Sequence, residues 1–339
     1  MEEKRVEWID FAKGIAIILV IIGHTVSVGK YGSIIRGMIF SFHMPLFFIL
    51  SIMTYRCSRS YEEYARKIRT SLKHLIYPAV LMITLNNVIL AIRNPSFIVD
   101  VEWWRDRIYS FIFSSGVELT FNNYHVSAVG IPWFFFALFI GRSIFDYIHL
   151  QFSDGQLSVI SIIIGILGVC ISTYQWLPFS LDIALSIMPF FYVGYKMKTM
   201  NMSSSVKKCF IWGAIWLGTL ALAFNDYNVW TYMELAARRY NFIPICYITA
   251  IAGTIFVIQF SIIVCSHTKN VKKLFLYFGK NSLYLLCIHI MDYLVTNFWN
   301  IDGNQYYSAI LRVIVDIAIF LIIMIFIRSF NALKYLNNK

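Results

Sequence analysis

The chain has 339 residues, of which 59% are hydrophobic, 17% aromatic and only 14% charged, where an ordinary soluble domain carries about 25% charge. Its 29 basic and 18 acidic side chains are too few to cover a water-facing surface, which excludes a typical soluble enzyme and makes a bilayer the expected solvent. The net charge of +11 gathers in short clusters between apolar runs, which speaks for anionic lipid headgroups rather than nucleic acid.

A spanning helix needs about 20 mainly apolar residues. Such runs predict about ten passes, at 9–28, 37–55, 75–92, 131–145, 157–174, 181–195, 209–224, 243–265, 282–299 and 307–327. The fourth and sixth are short, and Pro189 interrupts the sixth, so these two are expected to be tilted, broken or extended. The first run follows Met1-Glu2-Glu3-Lys4-Arg5 without a small-residue cleavage site and reads as a retained membrane helix. With both termini cytoplasmic, all but eight of the 29 Lys and Arg residues fall inside; the exceptions are Lys30, Arg36, Arg93, Arg105, Arg107, Arg238, Arg239 and Arg312. That asymmetry is what the positive-inside rule expects. Two outer segments, 93–130 and 225–242, are long enough to fold over the outer mouth, and Trp103-Trp104 suits an interfacial anchor. The expected fold is therefore an all-α, polytopic membrane protein forming a single domain over 1–339. Cys57, Cys170, Cys209, Cys246, Cys265 and Cys287 contain no CxxC pair and read as small hydrophobes, with no metal site.

A charge at the bilayer centre costs about 2.5 to 3.5 kcal/mol even on lenient scales, so ionisable residues in the spans are functional candidates. Lys13 and His24 are eleven positions apart, about three helical turns, which places them on one face roughly 16 Å apart. Asp10, three positions before Lys13, can pair with it. Against this, Lys13 can snorkel and His24 can be a structural hydrogen bond. His43 precedes Pro45 at a similar depth to His24, so it either shares a site with it or supports a kink. Arg56, Arg59, Arg66, Lys67, Arg69 and Lys73 form the strongest basic cluster, suited to lipid headgroups or to a polyanionic cytoplasmic ligand. His289 falls mid-membrane with Asp292 one turn farther out, a polar lining. Arg312 and Asp316, at i and i+4, are expected to neutralise each other. Asp182 near the outer end of the sixth span stays open, and His74, His125, His149 and His267 read as loop or boundary residues.

The block 8–24, from Trp8 through Asp10, Lys13 and Gly23 to His24, resembles the start of the acyltransferase-3 family of integral membrane O-acyltransferases. The block 40–51, Phe-Ser-Phe-His-Met-Pro-Leu-Phe-Phe-Ile-Leu-Ser, is similar to the family's second-helix signature, especially in its fucose-acetylase-like, exopolysaccharide-modifying branch. Weaker echoes run through 73–78, 132–135, Asp182 with 188–195, and 281–284 with His289. The resemblance implies transfer of an acyl group, usually acetyl, from cytoplasmic acetyl-CoA or another acyl-CoA to a hydroxyl of an extracytoplasmic or lipid-linked glycan. It implies a plasma or inner membrane location and no metal. His24 matches the essential first-helix histidine, as general base or acyl relay. Lys13 holds the basic position eleven residues earlier, and Asp10 and His43 join them as catalytic candidates. Lys67 and Arg69 resemble a basic pair thought to meet the donor, with Lys73 beside them, while Trp133, Asp182 and His289 are assigned to substrate binding. Two departures stand out: Lys67 replaces an Arg, which removes a bidentate phosphate fork, and Ile52 follows Ser51 where Gly is usual. The readings from other classes are a glycan or acyl-group transporter and a membrane sensor or accessory domain.

Overall fold

Hydrophobic run length and chain breakers together account for the helix order. The computed structural model describes residues 6–26, 29–200, 202–222, 232–292 and 305–337. Within them, seven helical stretches are long and apolar enough to cross a bilayer. These are α1 (Glu7–Thr25), the pair α2 (Gly29–Phe40) and α3 (His43–Met53), the run α4 (Tyr61–Ser71) to α5 (Tyr77–Arg93), α7 (Trp133–Gln151), α8 (Asp154–Tyr174), α12 (Ile245–His267) and α15 (Gln305–Asn337). An eighth span results if α9 (Leu181–Ser186) and α10 (Met188–Thr199), which meet at a 55° bend, are one crossing. The other two expected passes are α11 (Val206–Ala221) and α14 (Ser282–Asp292), shorter than a full span within the described residues. Positions 223–231 and 293–304, into which both were expected to run, lie outside the described residues.

The expected breaks have identifiable chemistry. Pro45 cannot donate a backbone N–H, and the second pass parts at Ser41-Phe42 just before it. The gap is filled by side chains: His43 Nδ1 donates to the Ile39 carbonyl at 3.0 Å, and Ser41 Oγ donates to the Met38 carbonyl at 2.7 Å. Trp216 of α11 then donates from Nε1 to Ser41 Oγ at 2.8 Å. At the second break, the α9–α10 bend sits in a notch on α8 formed by Gly165 and Gly168. A Cβ at Gly165 would press on the Pro189 ring, and one at Gly168 would overlap the Ser186 amide. Such small-residue contacts carry helix association where lipid removes the hydrophobic drive.

Four members of the basic cluster, Arg66, Lys67, Arg69 and Lys73, lie on one helical run, while Arg56 and Arg59 precede it. Ser60 caps α4 by accepting from the Glu63 amide at 3.2 Å. A π-helical turn, Leu72–Ile76, joins α4 to α5 as one 33-residue stretch. Near the chain end, α13 (Asn270–Lys280) crosses α1 so closely that a Cβ at Gly279 would overlap the Asp10 carbonyl, and one at Gly14 the Phe275 carbonyl. Lys272 adds an ion pair to Glu7 at 2.6 Å.

The opposite end of the bundle is covered by α6 (Val101–Phe113), the hairpin β1 (Leu119–Phe121) with β2 (Tyr124–Val126), and the short hairpin β3 (Met233–Glu234) with β4 (Arg239–Tyr240). These are the two segments expected to fold over one mouth, although 225–231 lie outside the described residues. Asp106 fastens the first by accepting from Ser127, at 2.7 Å from the amide and 2.8 Å from the hydroxyl. Burial alone would raise its carboxyl, but those bonds and the Arg107 guanidinium outweigh it and hold the group below the usual carboxylate range.

Candidate active site

Three histidines from three separate helices meet near the hairpin end. His24 stands in the last turn of α1 and its ring is exposed. Phe40, the last residue of α2, packs edge-on against it with centroids 5.4 Å apart and also lies 4.7 Å from His43. On another side the ring of His289, from α14, is 5.7 Å from His24. His289 and Asp316 of α15 share a hydrogen bond of 2.9 Å between Nδ1 and Oδ2, and both side chains are almost wholly buried. Asp316 was expected to neutralise Arg312; its Oδ2 hydrogen-bonds His289, and Arg312 Nη1 reaches Thr25 Oγ1, next to His24, at 3.3 Å.

His43 combines the two roles open to it from sequence. Because a carbonyl oxygen only accepts, the bond to Ile39 fixes the proton on Nδ1 and leaves Nε2 of the neutral ring as an acceptor. The same ring then supports the break before Pro45 and faces Phe40 in the cluster. An exposed imidazole backed by a buried carboxylate–histidine pair, at membrane depth, is a costly arrangement whose default reading is functional. It offers proton acceptors to a hydroxyl and a cation, Arg312, to developing negative charge.

One wall of the site was not read from sequence. Arg36 lies over the Phe40 ring, 4.0 Å from its centroid, and pairs with Glu234 of β3 at 3.0 Å. The second hairpin is thereby pinned beside the histidine cluster. No run or motif marked Arg36 or Glu234, since one lies in α2 just ahead of the second expected pass and the other in a polar connector.

The remaining predicted residues fall elsewhere. Asp10 and Lys13 lie at the far end of α1, Asp10 buried beneath α13 and Lys13 half-buried. Trp133 packs into the aromatic core with Phe48 and Phe134 and against Gly116. Asp182 is fully buried and bound by Arg238, Nε to Oδ2 at 2.9 Å and Nη2 to Oδ1 at 3.3 Å. The side chain of Asp292 lies outside the described residues. Among the donor candidates, Lys67 is paired with Glu63 at 2.9 Å and also donates to the Arg56 carbonyl. Arg66, Arg69 and Lys73, at i, i+3 and i+7 of one helical run, are exposed together.

Fold and site together describe a polytopic helical membrane protein with a histidine cluster near one end and a basic helix at the other. The chain belongs to the acyltransferase-3 family: the family model described as an acyltransferase domain matches residues 6–329, nearly its whole length. No curated protein sequence and no solved structure matches it. Family membership makes this a membrane acyltransferase.

Proposed function

We propose that the protein transfers an acyl group, most simply acetyl, from acyl-CoA on the cytoplasmic side to a hydroxyl of an extracytoplasmic or lipid-linked glycan in the plasma or inner membrane. The observation that carries this reading is the exposed His24 ring set between the Phe40–His43 contact and the His289–Asp316 pair. In the direct route His24 takes the proton of the acceptor hydroxyl, and the oxygen attacks the thioester carbonyl carbon. The C–S bond then breaks, and the CoA thiolate leaves with the proton that His24 returns. In the relay route His24 itself carries the acyl group between two such steps. His289, oriented by Asp316, lies close enough to His24 to steady its protonated form or the acceptor, and Arg312 supports the oxyanion.

The donor side of this reading rests on charge. Arg66, Arg69 and Lys73 present cations to the 3′-phosphate and pyrophosphate of CoA, in place of the Lys67–Arg69 pair alone, because Glu63 already engages Lys67. Along α1, Lys13 and His24 are about 16 Å apart, a depth that an extended pantetheine arm can span. The bent α9–α10 pair is the feature a transporter would share. Purified protein given labelled acetyl-CoA and a glycan acceptor distinguishes them: label covalently on the glycan is expected, and vesicle uptake of glycan without CoA would overturn the proposal.

A further inference from the structure

At the basic end of the bundle, Asp146 and His149, one turn apart near the end of α7, meet Cys57 from the loop after α3. One ligand atom from each residue lies within 4.8 Å of the other two, the one such group of three among the described residues. The donor set joins a soft sulfur, an imidazole nitrogen and a carboxylate oxygen, a combination suited to zinc-class ions.

Two further observations separate this cluster from chance proximity. Asp146 is held in place by donors behind it: Ser58 N–H gives to Oδ1 at 2.6 Å, while Ser58 Oγ and Tyr55 OH each give to Oδ2 at 2.7 Å. Hydrogen bonds of that kind orient ligating carboxylates in metal sites, and Oδ1 keeps a lone pair after its single bond. His149 Nδ1 is buried with no hydrogen-bond partner, while its ring packs edge-on against Tyr195 at 5.3 Å. Buried imidazole nitrogens are rarely left unmatched, so this ring has a nitrogen open to a ligand. The flanking cations are engaged elsewhere: Lys198 donates to the Tyr55 carbonyl at 2.9 Å, Lys67 to that of Arg56, and Arg142, which lies over the Tyr55 ring, to Ser71 Oγ at 3.0 Å. Cys57 and His149 are only half-buried, which leaves an aqueous route in.

We propose that Cys57, Asp146 and His149 form a zinc-class metal site with three protein ligands and a fourth position for water. Metal–ligand bonds of about 2.0 to 2.3 Å bring the ligand atoms to roughly 3.5 Å apart, a side-chain rotation from the present spacing. Coordination releases the Cys57 thiol proton to solvent, and the bound ion clasps the loop ahead of α4 to α7. The site stands apart from the acyl-transfer reading, and its test does not use activity.

Full-length protein in detergent, freed of any affinity tag, is titrated with Zn2+ and Co2+. About one equivalent of metal per chain by elemental analysis is expected, with a sulfur-to-cobalt charge-transfer band in the near ultraviolet. Cys57→Ser loses the band, and His149→Ala loses stoichiometric binding. In the unsubstituted protein, Zn2+ slows alkylation of Cys57 several-fold by mass spectrometry, and a chelator restores it; this measurement needs no variant to fold. No uptake with alkylation indifferent to Zn2+, or uptake that survives both substitutions, overturns the proposal.

Discussion

Asp182→Asn separates a structural role from a substrate-binding one. The Arg238 guanidinium grips Asp182 bidentately, donates to Ser115 Oγ at 2.9 Å and to the Ala236 carbonyl at 3.0 Å, and lies 4.2 Å over the Trp176 ring. Both charged side chains are essentially inaccessible, at 1% and 0% exposure. Asparagine keeps the shape but removes the charge, leaving a buried guanidinium uncompensated, which costs about 3 to 5 kcal/mol. With an unfolding entropy of about 2.1 cal/mol/K per residue, each kcal/mol shifts the midpoint of a chain this long by about 1.4 °C, so the expected drop is about 4 to 7 °C. Thermal denaturation in detergent, followed by tryptophan fluorescence, reads it. The double replacement Asp182→Leu with Arg238→Met removes both charges and recovers most of the loss, since a well-packed apolar pair replaces a buried ion pair at little cost. An Asp182→Asn protein that melts like the parent yet fails to turn over would refute this reasoning and restore Asp182 to the substrate.

Three other expectations follow from named contacts. Gly279→Ala places a methyl on the Asp10 carbonyl, and backbone cannot yield as a side chain can; a loss of about 1 to 3 kcal/mol or outright misfolding is expected, and wild-type stability by the same melt would mean α13 does not cross α1 this closely. Asp316→Asn keeps the fold but unsettles His289, so initial rates of acetyl transfer fall while the size-exclusion profile stays that of the parent; an unchanged rate would remove the pair from the site. Asp106 is held below the usual carboxylate range in the folded protein, so it is the better proton acceptor in the unfolded chain. Its contribution is therefore complete above about pH 4 and is lost as pH falls through the folded value. Limited proteolysis near 127 should accelerate in acid, less so in Ser127→Ala; acid-insensitive cleavage would contradict the assignment.

Most of the helical plan was legible because hydrophobic run length is a one-dimensional signal. Both expected breaks were visible as Pro45 and Pro189, whose chemistry is local. The count of ten against seven or eight reflects α11 and α14, which fall short within the described residues. His24 was legible as a candidate for a physical reason too, since an ionisable ring in an apolar helix is costly. Its surroundings were not. Asp316 was paired by i, i+4 spacing with Arg312 on its own helix, but its bond to His289 comes from the approach of α14, and no local pattern encodes which residue of another helix comes near. Arg36–Glu234 joins positions 198 residues apart, and Cys57 with Asp146 and His149 joins a loop to a helix across 89 and 92 positions of sequence. Cysteine spacing is silent on such sites because their geometry exists only after folding.

The central claim is that His24 is the group through which the acyl group reaches the acceptor. The most direct measurement is transfer of labelled acetyl from acetyl-CoA to a glycan acceptor by purified wild-type and His24→Ala proteins, matched for folding by their melts. General base catalysis contributes about 10² to 10⁴-fold, so a loss of at least 100-fold with an unchanged melting midpoint is expected. A correctly folded His24→Ala protein that acetylates the glycan at the wild-type rate would contradict the account.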